Sequence, residues 1–204
     1  MDKAVGLPER QWQVLLLGGA SGVGKTTVGY RLARHFGVGI AEVDDFQAVL
    51  ERMTTAEQHP AIHFWRTHPA PDQLSAAEII EHLLEHSDAL RPALEAVIAN
   101  HLEASTPVVL EGDFIHPALA AQASFSGQPN DGRVRAAFLH EPDEQQLVAN
   151  YLSREPAAGP QAKRAHVSRL HSLWLAQEAE RHGGPVVLAR PWDTVLERLV
   201  AAVS

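Results

Sequence analysis

A short apolar run, Val14-Leu15-Leu16-Leu17, breaks at Gly18-Gly19 and leads into Gly19-Ala20-Ser21-Gly22-Val23-Gly24-Lys25-Thr26, which fits the pattern GxxxxGK[ST]. No other feature restricts the fold as much. An apolar run without alternation reads as a strand buried on both faces of a parallel sheet. The glycines let the backbone curl until successive N–H groups point inward at phosphate oxygens. A helix expected from Lys25 to Phe36, with Val28, Leu32, Ala33 and Phe36 on one side and Gly37 as its stop, adds its N-terminal dipole. With Gly at roughly 7% of residues, chance produces such a match in fewer than about one chain per hundred of this length. The segment implies a nucleoside triphosphate held by backbone N–H groups, with Lys25 on its β/γ-phosphates and Thr26 on Mg2+.

The rest of the chain alternates short apolar strands with helical stretches. Gly39 to Val43 is expected as the second strand, ending at Asp44-Asp45. Residues 46–105 read as helical, with Ser75-Ala76-Ala77-Glu78 as a capping box and Pro92 as a new helix start or a kink. Thr106 to Leu110 is the third strand, followed by Glu111-Gly112-Asp113, and Val134 to Leu139 is the fourth. Residues 143–152 read as a helix, 153–165 as a loop, 166–182 as a helix, Pro185 to Ala189 as the fifth strand and 193–203 as a last helix. This pattern predicts an α/β layered fold with a mostly parallel sheet, whose ligands sit at the carboxyl ends of the strands.

Composition removes several classes. The 204 residues suit one domain with an inserted subdomain, and 45% hydrophobic residues exclude a disordered chain. Seventeen Lys+Arg against 25 Asp+Glu give a net charge of −8, the wrong sign for a nucleic-acid binder. Without cysteine there is no disulfide, thiolate metal site or cysteine nucleophile. The 12 histidines are scattered, with no HExxH-type pair. No apolar run approaches the roughly 20 residues of a membrane span, and the opening MDKAVGLPERQWQ has no secretion-signal stretch. A cytoplasmic monomer or homodimer is expected.

The phosphate loop, the acidic pair after the second strand, the helical stretch and the basic loop resemble the small P-loop kinases of the nucleoside-monophosphate-kinase-like group. The specific motif is Gly19-Ala20-Ser21-Gly22-Val23-Gly24-Lys25-Thr26-Thr27. Val43-Asp44-Asp45-Phe46 looks like the V-D-x-F of chloramphenicol phosphotransferases and zeta-toxin kinases, and HFWRTHP and LEGDFIHP look like 2-phosphoglycerate-kinase-like proteins. The resemblance implies a three-layer P-loop sandwich with a five-stranded parallel sheet of order 2-3-1-4-5. It also implies ATP- and Mg2+-dependent transfer of the γ-phosphoryl group to a hydroxyl of a small metabolite or antibiotic. Residues 46–105 would be the acceptor-gripping insert and 153–169 the lid.

In that frame Asp44 is the candidate base that orients the hydroxyl and takes its proton. Asp45 is the alternative, as base or as a contributor to Mg2+ hydration, and either could instead cap the next helix. Glu111 and Asp113 are candidate Mg2+ groups, Asp113 also a substrate contact. Among Arg154, Lys163, Arg164 and Arg169, the loop-edge residues Arg154 and Arg164 are the expected catalytic cations. Arg52, His63, Trp65, Arg66 and His68 form a mixed cluster in the insert, with Arg52 and Arg66 as candidate acceptor contacts. Arg190 is placed to stack on the adenine. Three rival readings remain: a P-loop ATPase acting as a conformational switch, a toxin-like kinase of a nucleotide sugar, and a nucleotide-binding protein without catalysis. No NKxD segment marks guanine recognition.

Overall fold

Five parallel strands form the sheet of the computed structural model, which describes residues 10–68, 70 and 73–204. Residues 1–11 read as a polar tail in the sequence; positions 1–9 of it, and Pro69 of the HFWRTHP segment, lie outside the described residues. The sheet contains β1 (Val14–Gly18), β2 (Gly39–Glu42) and β3 (Val108–Gly112). A two-residue hairpin, β4 (Ser124–Phe125) with β5 (Gln128–Pro129), separates these from β6 (Val134–His140) and β7 (Val186–Leu188). The sheet order is β2-β3-β1-β6-β7. Counted over its own strands this is 2-3-1-4-5; the labels shift because the hairpin, absent from the sequence reading, lies between the third and fourth.

Every residue of β1 and β3 is buried, Glu111 included, as in a parallel sheet covered on both faces. Helix α1 (Lys25–Phe36) crosses from β1 to β2. It is followed by α2 (Val43–Met53), α3 (Pro60–Thr67), α4 (Ala76–Glu103), α5 (Glu144–Arg154), α6 (Ala162–Arg181) and α7 (Val195–Val203). Helices α1 and α7 pack on one another and on the sheet, and so do α4 and α6. Right-handed crossovers running in opposite directions put the two pairs on opposite faces.

Several boundaries differ from the sequence reading, each for a local reason. The second strand stops at Glu42, and Val43 already opens α2, so Asp44 and Asp45 occupy that helix's first turn rather than a strand-end loop. Carboxylates there are favoured by the helix dipole. The third strand runs to Gly112, placing Glu111 inside it. Gly112 is needed at this point: a Cβ on it would meet the Val43 Cβ at 2.5 Å, so β3 and the start of α2 approach as closely as backbone allows.

The capping box is formed as expected, with Ser75 accepting from the Glu78 N–H while Glu78 accepts from the Ser75 N–H. Helix α4 then continues through Pro92 without starting a new helix. Its buried face, Leu90, Leu94, Ile98 and Leu102, outweighs the one backbone bond that proline cannot donate. The loop expected over 153–165 is much shorter. Helix α5 reaches Arg154, a 3-10 turn spans Pro156–Ala158, and α6 starts at Ala162, so Lys163, Arg164 and Arg169 are helical.

Candidate active site

The turn after β1 takes the shape its glycines predict. Gly19, Gly22 and Gly24 have φ of 144°, 81° and 97°. A side chain on Gly24 would strike the Trp192 ring at 2.5 Å, and one on Gly19 the Leu139 carbonyl oxygen at 2.6 Å. Asn150 Nδ2 donates to the Gly22 carbonyl at 2.8 Å and fixes the crest of the loop from α5. Helix α1 starts at Lys25 with no side-chain cap, so its first N–H groups face the loop.

The parallel register brings the acidic groups to the same place. Glu111 lies opposite Leu17 on one side and Glu42 on the other, and Gly112 lies opposite Gly18. Lys25, only 5% exposed, forms an ion pair with Asp113 and donates to the Ala20 carbonyl at 3.1 Å. Burial pulls the Lys25 ammonium pKa down, but Asp113, Glu111 and Asp44 together hold it above its ordinary value. Thr26 Oγ1 donates to Glu111 Oε1. Burial pushes the Glu111 carboxyl up against the pull of Lys25 and the Thr26 hydroxyl. The Asp44 residue is exposed to solvent, yet desolvation of its carboxyl by the surrounding protein raises its pKa, Asp113 adding to the rise and Lys25 opposing it. Asp45 is exposed next to it.

The same chemistry suits Mg2+. This ion keeps several waters and is bound through one or two carboxylates plus substrate phosphates, not by an all-protein cage. Among the described residues no three His, Cys, Asp or Glu side chains converge on a metal-sized point. The Thr26 hydroxyl bonded to the Glu111 carboxylate is the hard-oxygen pair such an ion takes, with Asp113 beside it.

A cavity of about 610 Å³ opens over the phosphate loop, lined by Gly22 to Thr27 on one side and by Asn150, Tyr151, Arg154, Arg190 and Trp192 on the other. Arg190 lies 5.6 Å from the Trp192 ring centroid, donates to Asn150 at 3.3 Å and approaches buried Glu141 at 3.5 Å. It therefore sits at the cavity wall with its charge partly matched. Arg154 and Arg164 share two partners. Both lie over the Tyr151 ring, 5.1 and 4.4 Å from its centroid, and both bond to Glu155. Arg169 pairs with Glu144.

A second cavity, about 520 Å³, lies between the insert and the start of α6, lined by Trp65, Ile79, Gln161, Ala162, Lys163, Arg164 and Val167. Trp65 of the insert cluster is thus at a cavity wall. His63 is buried and bonded to Thr54 at 3.0 Å, and His68 packs on Phe64. Arg66 faces outward and pairs with Glu51 at 2.8 Å, while Arg52 is exposed on α2. Neither lines either cavity.

The sequence reading missed Asn150, Tyr151, Glu155, Trp192 and His171. Trp192 had a local signal, a large aromatic directly after Arg190-Pro191 at a strand end. The others owe their place to packing between distant segments. His171 of α6 is the clearest case: burial pushes its imidazole down to about 4, with Asp113 and Lys25 acting on it in opposite senses.

Sheet order and phosphate loop define a P-loop α/β fold, with carboxylates gathered around Lys25. Known proteins are similar to it. The chain is 26% identical to a 2-phosphoglycerate kinase of Methanopyrus kandleri over 94% of its own length and 60% of the relative's. It is 24% identical to a tRNA dimethylallyltransferase of Desulfotalea psychrophila over 91% of its length and 56% of the relative's. It therefore spans less than two thirds of the curated relatives it matches. Among solved structures it superposes on a sugar kinase from Janibacter sp. HTCC2649 with a TM-score of 0.59 and 18% identity, covering 94% of both chains. A gluconokinase from Sinorhizobium meliloti 1021 gives a TM-score of 0.53 and 18% identity, over 96% of this chain and 93% of that one. No family model matches the chain.

Proposed function

We propose that the chain is an ATP- and Mg2+-dependent kinase that phosphorylates a hydroxyl of a small organic acceptor. The observation that carries this reading is the pair of cavities on either side of Arg164 and Tyr151: one over the phosphate loop, one walled by the insert. An ATPase switch needs only the first.

In this reading the loop N–H groups and Lys25 hold the triphosphate, and Arg190 and Trp192 flank the base. Thr26 and Glu111 would hold Mg2+, which supplies charge neutralisation on the phosphate oxygens. Asp44 accepts the acceptor's hydroxyl proton as the oxygen–γ-phosphorus bond forms and the bond to the β-phosphate oxygen breaks, leaving ADP. Its raised pKa makes it a stronger base than an ordinary aspartate. Arg154 and Arg164 meet the charge on the transferred phosphoryl group, Arg164 from the acceptor side. Asp113 keeps Lys25 charged and aligned. The whole chain acts as one catalytic domain, with 46–105 as insert and the segment within 153–169 as lid.

Phosphoglycerates come first among acceptors because relatives carry that name. The apolar walls Trp65, Ile79 and Val167 make larger hydroxyl compounds, sugars and antibiotics the next to try. ATP consumption with Mg2+ is measured against such a panel, with a no-acceptor control. Strong stimulation by one class supports the kinase; steady hydrolysis indifferent to every acceptor would replace it with the ATPase.

A further inference from the structure

The carboxylate of Glu155 bonds to both candidate lid arginines. Arg154 Nε donates to Glu155 Oε1 at 2.9 Å, and Arg164 Nη1 donates to its two oxygens at 3.2 and 3.1 Å. Gln161 holds the same carboxylate through Nε2 at 3.1 Å and accepts from Arg164 Nη1 at 2.9 Å. Both guanidiniums lie against the Tyr151 ring, whose hydroxyl is tied to Ser168 at 2.7 Å in the core. The two arginines belong to different cavities: Arg154 lines the one over the phosphate loop, Arg164 the one facing the insert. Glu155 itself is carried on the short connection between α5 and α6, next to the 3-10 turn Pro156–Ala158.

We propose that Glu155 is a positioning residue that competes with nucleotide phosphates for Arg154 and Arg164, setting a threshold for lid engagement and tying the two cavities together. Two guanidiniums held on one ring repel one another unless an anion lies between them. Glu155 is that anion within the chain, and a polyphosphate oxygen is a stronger one. When Arg154 turns to a phosphate in the first cavity, Glu155 loses one of its two arginines, and Arg164 is freed to swing toward whatever fills the second. The connection of residues 155–161 can accommodate this because none of it is buried and it carries Gly159 at a φ of 69°. This inference rests on reading the first cavity as the nucleotide site.

The test is calorimetric titration of MgATP into the full chain and into Glu155→Gln, at low and high salt. Removing the competing charge should tighten MgATP by on the order of threefold to tenfold at low salt, and less at high salt, as for charges a few ångströms apart in solvent. The gain should vanish when Glu155→Gln is combined with Arg154→Gln and Arg164→Gln, because Glu155 acts only through those two side chains. A thermal melt of each variant guards against misfolding, and Glu155→Asp, which keeps the charge, should bind MgATP within twofold of the native chain. Equal or weaker MgATP binding by folded Glu155→Gln would overturn the proposal, as would a gain that persists without the two arginines. Loss of MgATP binding in the native chain itself would instead refute the nucleotide site.

Discussion

Lys25 is locked to Asp113, with the Ala20 carbonyl as its second partner, so the cation of the phosphate loop is placed and kept charged by the end of β3. A buried ammonium without such company would lose its proton more readily. The pairing also means that phosphate binding at Lys25 must be shared with, or taken from, Asp113.

Lys25→Ala should therefore lower MgATP affinity by at least about tenfold, since a charge-assisted contact to phosphate is lost while the loop N–H groups remain. Calorimetry checks it. Unchanged affinity would show that the backbone cradle alone carries binding.

Asp44→Asn should leave MgATP binding within threefold and reduce turnover about 10²–10⁴-fold, the usual span for a general base. Should the rate stay near native, Asp45 or no protein base serves instead. The measurement needs the acceptor found by the panel, with initial rates at saturating ATP.

Gly112→Ala inserts a methyl group where the Val43 Cβ stands 2.5 Å away. The start of α2 has to move, and Asp44 with it. We expect a stability loss of about 1–3 kcal/mol, typical of overpacking, and a fall in turnover larger than the fall in ATP affinity. Chemical denaturation and steady-state kinetics on the same sample separate the two effects; native turnover in the variant would show that Asp44 need not sit where β3 places it.

How much of this was legible beforehand differs from element to element. Strand β1, the phosphate loop and α1 announce themselves through an apolar run, a fixed glycine spacing and a helical stripe ended by Gly37, all short-range signals. The acidic residues were legible as candidates, but their geometry was not. Asp44 belongs to α2 and Glu111 to β3 because the chain closes at Gly112 and Val43, a contact between segments about 70 residues apart. The β4–β5 hairpin has two-residue strands, too short for any periodicity to register. Glu155, Asn150 and Tyr151 carry no motif at all; their roles come from the packing of α5 against α6 and the phosphate loop.

The buried His171 gives a prediction in pH. Its imidazole titrates at about 4 in the folded protein against an ordinary 6.5. Below about pH 6.5 the unfolded chain takes up a proton that the folded one refuses until about 4, so this residue's contribution falls as pH drops through that window. The full difference is roughly 3 kcal/mol. His171→Gln should flatten the decline of melting temperature between pH 7 and pH 5, and an unchanged slope would assign the acid sensitivity to other groups.

The 28-residue helix α4 begins beside the second cavity at Ile79 and ends deep in the core, where Leu94, Ile98 and Leu102 are at most 2% exposed. One continuous rod thus serves as both a wall of the second cavity and a beam of the foundation. Its cavity end cannot swing like a hinged door without levering the core beneath the sheet. If that cavity takes the acceptor as proposed, fit to different acceptors has to be tuned on the opposite bank, at the start of α6 and the short connection before it. Changes of specificity should gather there, while the rod itself stays as constant as the sheet it lies on.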